Sequence, residues 1–202
     1  MPHEPTIAFI MGCTNAGKST FLNFAAESDP GVKLVEVGKR FREKYPREDF
    51  KGRNNPDHTA DEASRWLQEW VTEHLAWPYT KLILVDGQPR DYRQVHECVQ
   101  WWPGIRRRFL MFDCFIKARQ ARAKARFDSN DPDYRRNIEL SQQRQRRDMQ
   151  DNFVVTIELL KLNQKVEVVD TNRPREEYLA PVVQALLTGG SLEAYSSMIG
   201  SC

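Results

Sequence analysis

The sequence predicts an α/β fold, a five-stranded parallel sheet flanked by helices with a short helical lid. Three observations carry this. Short apolar runs recur at Ile7 to Met11, Lys33 to Val37, Leu82 to Val85, Phe109 to Phe112 and Val166 to Val169, separated by helical or polar stretches, as in a parallel sheet covered by helices. The first run leads into Gly12-Cys13-Thr14-Asn15-Ala16-Gly17-Lys18-Ser19-Thr20, which fits GxxxxGK[ST] at every fixed position. Ser19 to Ala26 then reads as helix, and strand, loop, helix is the order a phosphate-binding loop requires. Finally, 202 residues without internal repeat or low-complexity linker suit one α/β domain over 1–202.

Charge and composition narrow the function classes. Thirty Lys and Arg against 28 Asp and Glu leave a net charge of +2, which does not predict a nucleic-acid partner. No apolar stretch approaches a membrane span, and Met-Pro-His-Glu-Pro lacks the basic and apolar regions of a signal peptide, so a cytoplasmic protein is expected. Cys13, Cys98, Cys114 and Cys202 show no CxxC spacing and read as reduced thiols. His58 and His74 lack a clustered ligand set and read as neither metal-binding nor catalytic.

In chain order the loop comes first. Glycines at 12 and 17 let the backbone of Cys13, Thr14, Asn15 and Ala16 turn tightly and aim its N–H groups at phosphate oxygens, and the next helix adds its positive end. Lys18 reaches the β/γ-phosphates of a nucleotide, Ser19 offers a hydroxyl to magnesium, and Thr20 is a neighbouring helper. After the second run, Gly38 forms a turn followed by a short basic helix that Pro46 ends, by itself a solvated surface. Thr59-Ala60-Asp61-Glu62 is a capping-box pattern. Ala63, Trp66, Leu67, Trp70, Val71 and Leu75 follow at helical spacing, so Pro56 to Trp77 reads as a helix whose tryptophans pack on a core or line a cleft.

The third run leads into Asp86-Gly87-Gln88-Pro89-Arg90-Asp91-Tyr92-Arg93-Gln94. A carboxylate at a strand end beside a phosphate loop can hold magnesium through water, which makes Asp86 the candidate. Arg90 projects a planar guanidinium suited to phosphate or carboxylate, and Gln94 carries both a donor and an acceptor, enough to read a base edge. Arg106 to Arg108 reads as a solvated entry turn before the fourth strand. The arginines from Arg119 to Arg147 are diluted by acids and have few aromatics between them, which suits a phosphate-clamping lid better than a single-strand stacking platform. Asp170 to Pro174 follows the last strand, Arg175 to Leu187 reads as a closing helix, and the Gly- and Ser-rich Thr188 to Cys202 is given no function.

These residues resemble the nucleoside monophosphate kinases, especially adenylate kinase and the uridylate/cytidylate kinases. Asp86 to Arg90 matches that family's Asp-Gly-aromatic-Pro-Arg motif except at Gln88, and Gln94 falls where adenylate kinases place a base-reading glutamine. Leu110-Met111-Phe112-Asp113-Cys114 resembles the fourth strand, and Arg122 and Arg126 fall on the family's paired arginines. The resemblance covers nearly the whole chain. It implies that Lys18 and the loop amides hold the donor phosphates, with Mg2+ and ATP. Gly38, Arg42, Gly87, Arg90 and Gln94 would serve the acceptor, with a helical acceptor-binding segment over about 38–77. Arg122 would stack near the donor base, and Arg126 would touch the transferring phosphoryl group. The cluster Arg135, Arg136, Arg144, Arg146 and Arg147 would come from a mobile lid over about 122–147, its catalytic pair being one of Arg135 or Arg136 with one of Arg146 or Arg147, Arg136 and Arg147 being taken as that pair.

The activity so implied is transfer of the ATP γ-phosphoryl group to a nucleoside or deoxynucleoside monophosphate, giving a diphosphate. Such an acceptor is already an anion and needs no base; cations that neutralise the transferred group and a lid that excludes water suffice. The departures bear on substrate. Val37-Gly38-Lys39 stands where adenylate kinases carry Thr-Gly-Asp, which weakens AMP as acceptor. The loop lacks the family's Pro-Gly, and the lid lacks the Cys quartet of zinc-bearing relatives, so no structural zinc is expected. Two alternatives stay open. One is a P-loop kinase of a nucleic-acid 5′ hydroxyl or a small-molecule alcohol, in which Asp86 becomes the base. The other is a catalytically weak nucleotide-binding regulatory module, motivated by the altered Val37 and Lys39.

Overall fold

The computed structural model describes residues 4–44 and 57–195. Five parallel strands, β1 (Thr6–Met11), β2 (Val32–Val35), β3 (Leu82–Asp86), β4 (Arg106–Asp113) and β5 (Val166–Asp170), form one sheet in the order β2-β3-β1-β4-β5. The helices are α1 (Lys18–Ser28), α2 (Val37–Lys44), α3 (Asp57–Leu75), α4 (Tyr92–Gln100), α5 (Ile116–Arg126), α6 (Tyr134–Lys161) and α7 (Arg175–Thr188). Ile10 sits opposite both Asp86 and Leu110. The loop after β1 therefore opens between the carboxyl ends of β3 and β4, where ligands bind in such sheets.

The pleat sorts the apolar residues into two layers. Ile7, Phe9 and Met11 face a core shared with Phe41 of α2, Trp66 and Leu67 of α3, Val95 of α4 and Val155 of α6, while Ala8 and Ile10 face one shared with Phe21 of α1 and Val182 of α7. Phe9 stacks on Phe109 with ring centroids 4.9 Å apart. Each such fully buried side chain contributes on the order of 1.5–3 kcal/mol, which is why strand-length apolar runs marked the sheet correctly.

The expected boundaries need four corrections. β2 stops at Val35, because Val37 opens α2 and is buried there. Arg106 to Arg108 belongs to β4 and is no solvated turn: Arg107 Nη1 donates to the carbonyls of Val99 and Trp101, and Arg108 forms two 2.7 Å hydrogen bonds to Glu167 on β5. α3 starts at Asp57, so Thr59 lies inside the helix rather than at its cap. The basic helix α2 is not simply solvated either, since the Arg40 guanidinium lies 4.8 Å and 4.2 Å from the Trp66 and Trp70 ring centres and Phe41 packs 4.6 Å from Trp66. These tryptophans are thereby committed to packing. Pro46, Pro56, the 45–56 part of the expected acceptor segment, and Cys202 lie outside the described residues, as do the side chains of Arg42 and His58.

Candidate active site

The loop after β1 is held by the sheet before any ligand acts on it. Gly12 has φ +128°, and a Cβ there would meet the Phe112 carbonyl oxygen at 2.3 Å, so the close approach of β4 requires glycine. Gly17 caps α1 in the left-handed region with φ 96°. Lys18 folds back along the loop, its Nζ donating to the carbonyls of Gly12 at 2.5 Å and Cys13 at 3.0 Å. Burial pulls the Lys18 pKa down, and the carboxylates of Asp86 and Asp148 push it back up.

Around the loop lies a cleft of about 440 Å³. The loop lines it with Gly12, Thr14, Asn15, Gly17, Lys18, Ser19 and Thr20. Gly38 lines it from α2, Asp86, Gly87 and Arg90 from the end of β3, and Arg126 from the end of α5. These sequence-predicted residues come together from four separate stretches. Gln88 joins Pro89 through a cis peptide bond, and Arg90 Nε donates to the Gly87 carbonyl at 2.9 Å. Asp86 Oδ1 is buried and has no hydrogen-bond partner.

Other predicted residues lie elsewhere. Cys13 and Ala16 are buried and do not line the cleft. Gln94 is buried off the cleft with its Oε1 accepting the Arg90 N–H at 2.8 Å, so it shapes the loop that presents Arg90 and is not placed to read a base. Arg122 braces the phosphate loop rather than standing free: it donates to the Asn15 carbonyl at 3.3 Å, to Thr171 Oγ1 at 3.2 Å and to the Thr171 carbonyl at 2.5 Å. Arg136 is exposed, Arg147 is half-buried, and neither lines the cleft, whereas Arg144 does.

Reasoning from sequence missed the face that α6 turns toward the loop. Arg144, Asp148, Asp151 and Asn152 line the cleft, and their spacing of i, i+4, i+7 and i+8 was the available signal. Asp148 Oδ2 accepts the Thr14 N–H and the Thr14 hydroxyl, both at 2.6 Å. One turn and more toward the helix start, Ser141 Oγ accepts from Asn15 Nδ2 at 3.2 Å. Desolvation and then the Asp148 charge raise the Asp151 pKa from its ordinary value, against the pull of Arg90 and Arg147.

The donor set also fits a hydrated magnesium ion. Asp86 offers a carboxylate oxygen with no protein partner, Ser19 offers a hydroxyl on the same cleft, and magnesium keeps most of its water and takes further ligands from substrate phosphates. Among the described residues no three His, Cys, Asp or Glu side chains cluster as a dedicated metal site.

Sheet order and loop define a phosphate-loop α/β fold, five parallel strands flanked by helices. Neither a protein-family model nor a curated protein sequence matches the chain. Among solved structures it is similar to an unliganded sugar kinase from a Janibacter species, with TM-score 0.58 and 15% identity over 93% of this chain and 99% of that one. It is similar also to a gluconokinase from Sinorhizobium meliloti, with TM-score 0.57 and 16% identity over 93% of this chain and 95% of that one. At these identities the likeness is one of fold. Among the described residues no helix is long and apolar enough to cross a membrane.

Proposed function

We propose that the protein is an ATP-dependent kinase whose acceptor is a small-molecule alcohol carrying an anionic group, a sugar acid being the model. The observation that carries this reading is two of the three carboxylates in the cleft: Asp86 with an unpartnered buried oxygen, and Asp151 with a raised pKa close to Arg90, while Asp148 is taken up by Thr14. A hydroxyl acceptor needs a base, and a carboxylate of raised pKa is the better one near neutral pH. Asp151 takes the hydroxyl proton, the acceptor oxygen bonds to the γ-phosphorus, and the bond from that phosphorus to the β-γ bridging oxygen breaks, leaving ADP. Arg90 holds the acceptor's anionic group, while Lys18, Arg126 and Arg144 offset charge on the transferred group. Ser19 and Asp86 would hold magnesium, which when bound neutralises charge on the β- and γ-phosphates. The two solved structures named above as a sugar kinase and a gluconokinase accord with this class of acceptor.

The nucleoside monophosphate reading keeps one specific support, the convergence of Arg90, Arg126 and Arg144 on one cleft with Asp86-Gly87-Gln88-Pro89-Arg90 at its rim. Against it stand the burial of Gln94 and the two α6 carboxylates, which repel a second dianionic phosphate. An ADP-release assay with magnesium and ATP, run over sugar acids, neutral sugars and all ribo- and deoxyribonucleoside monophosphates, separates them. Lys18-dependent turnover with a sugar acid or related hydroxy acid is the expected result. Turnover confined to monophosphates moves the assignment to the second reading, and ATP binding without turnover on any acceptor leaves the regulatory module.

A further inference from the structure

A second pocket lies behind the phosphate loop. It is an open apolar hollow of about 650 Å³ between the end of β4, the start of α5 and the middle of α6. Its rim is made by Phe115 and Phe153, 74% and 69% exposed, with Ile116 and Met149 beside them. Exposed side chains of this size in one contiguous patch cost solvation and mark binding surfaces more often than bare surface. Cys13 and Cys114 line the floor, and burial raises both thiol pKa values, so the floor is uncharged at neutral pH.

Three charged side chains break this apolar lining, Asp113, the exposed Lys117 and Arg119, and only Arg119 is buried. Arg119, only 5% exposed, lines the pocket; its Nε has no partner, and its Nη2 reaches only the Met149 sulfur at 3.7 Å. A guanidinium does not deprotonate in a protein, and burying it without an anion is costly. Asp113 lines the same pocket without forming an ion pair to it. Asn152 lines both this pocket and the cleft and stands between them, its Nδ2 donating to Cys13 Sγ at 3.8 Å.

We infer that this pocket is a second ligand site, for a small amphipathic anion whose aromatic or aliphatic body lies between Phe115 and Phe153 and whose carboxylate or sulfonate pairs with Arg119. Charge complementarity selects the anion and the apolar walls select the body. The site does not depend on the acceptor assigned above.

The test uses two fluorescent probes of like shape, the anion anilinonaphthalene sulfonate and its uncharged counterpart N-phenylnaphthylamine, titrated into the full chain with and without saturating ATP. The anion is expected to bind one per chain, about tenfold or more tighter than the neutral probe, as a charged hydrogen bond warrants, and ATP should not displace it. Arg119→Met should weaken the anion by about tenfold or more and the neutral probe by less than about threefold. Phe153→Glu, at an exposed position, should weaken both and keeps the test decisive if Arg119→Met fails to fold. Displacement by ATP, equal affinity for the two probes, or an anion affinity indifferent to Arg119→Met in a folded variant would each overturn the inference.

Discussion

Thr14 donates both its amide and its hydroxyl to Asp148, so in this structure part of the anion cradle is engaged by the protein's own carboxylate. A nucleotide phosphate must displace that carboxylate or accept its charge nearby. Asp148→Asn is therefore expected to tighten ATP binding by roughly three- to tenfold, the scale of one like-charge contact near the surface; calorimetry showing weaker binding would make Asp148 a ligand-supporting group. Lid register is decided the same way. Arg144→Ala should lower kcat by about a hundredfold, as loss of one charge-stabilising group does, while Arg136→Ala leaves it within a few-fold; the reverse ranking would return the catalytic role to Arg136. Asp151 supplies a pH signature. As base it acts deprotonated, so the acidic limb of kcat/KM is expected to lie higher than that of an unshifted aspartate, in the direction of its raised pKa, and should vanish in Asp151→Asn. The sign for stability follows from the same shift: a carboxylate whose folded pKa is raised penalises the fold at pH above that pKa and not below its unfolded value. Asp151→Asn should thus melt slightly higher at neutral pH and unchanged in acid, by a small, salt-screened amount because the side chain is exposed. Lys18, Asp86 and Arg90 were legible because motif and strand-end position mark them, and Arg126 came only with the family resemblance; Arg144 was one of five in a cluster, and Asp148 and Asp151 were not legible as site residues, because only the rotation of α6 against the loop tells its inward face from its outward one.

Among the elements, β4 and β5 show how far an apolar pattern reaches. Phe109 to Phe112 marked β4, but the strand begins at Arg106, where pairing with β1 continues through Arg107 and Arg108 opposite Ile7 and Ala8. Those arginines are tolerated because each finds partners, Arg107 the nearby Val99 and Trp101 carbonyls and Arg108 groups distant in sequence: Arg108 binds Glu167 through two bonds and the Ala185 carbonyl at 3.0 Å, with 9% and 11% side-chain exposure on the two ionic partners. Removing one half leaves a buried charge uncompensated. Arg108→Ala should cost about 3–5 kcal/mol in urea unfolding, and a loss under about 1 kcal/mol would show that water reaches Glu167 and screens it. A sequence pattern cannot show such a pair, since the partner is brought in only by strand adjacency.

At the scale of the molecule, the cleft joins α2, the end of β3, α5 and α6 around a loop fixed by β1 and β4, so a ligand there bridges elements from separate parts of the chain. ATP with magnesium at about a hundred times its Kd should stabilise by about 2.7 kcal/mol, a melting rise of roughly 5–10 °C for a domain of this size. A comparable rise in Lys18→Ala would show that the nucleotide binds away from the loop. By itself the sequence determined the five strands, the phosphate loop and the strand-end acid, because burial periodicity and glycine geometry are local and each leaves a mark within a few residues. The tertiary structure alone decided which arginine faces the cleft, that Gln94 turns inward to Arg90, that Asp148 and Asp151 join the site, and that Arg119 lies unpaired in a second pocket. Those facts depend on how helices rotate and cross against the sheet, and such contacts between distant segments have no local signature.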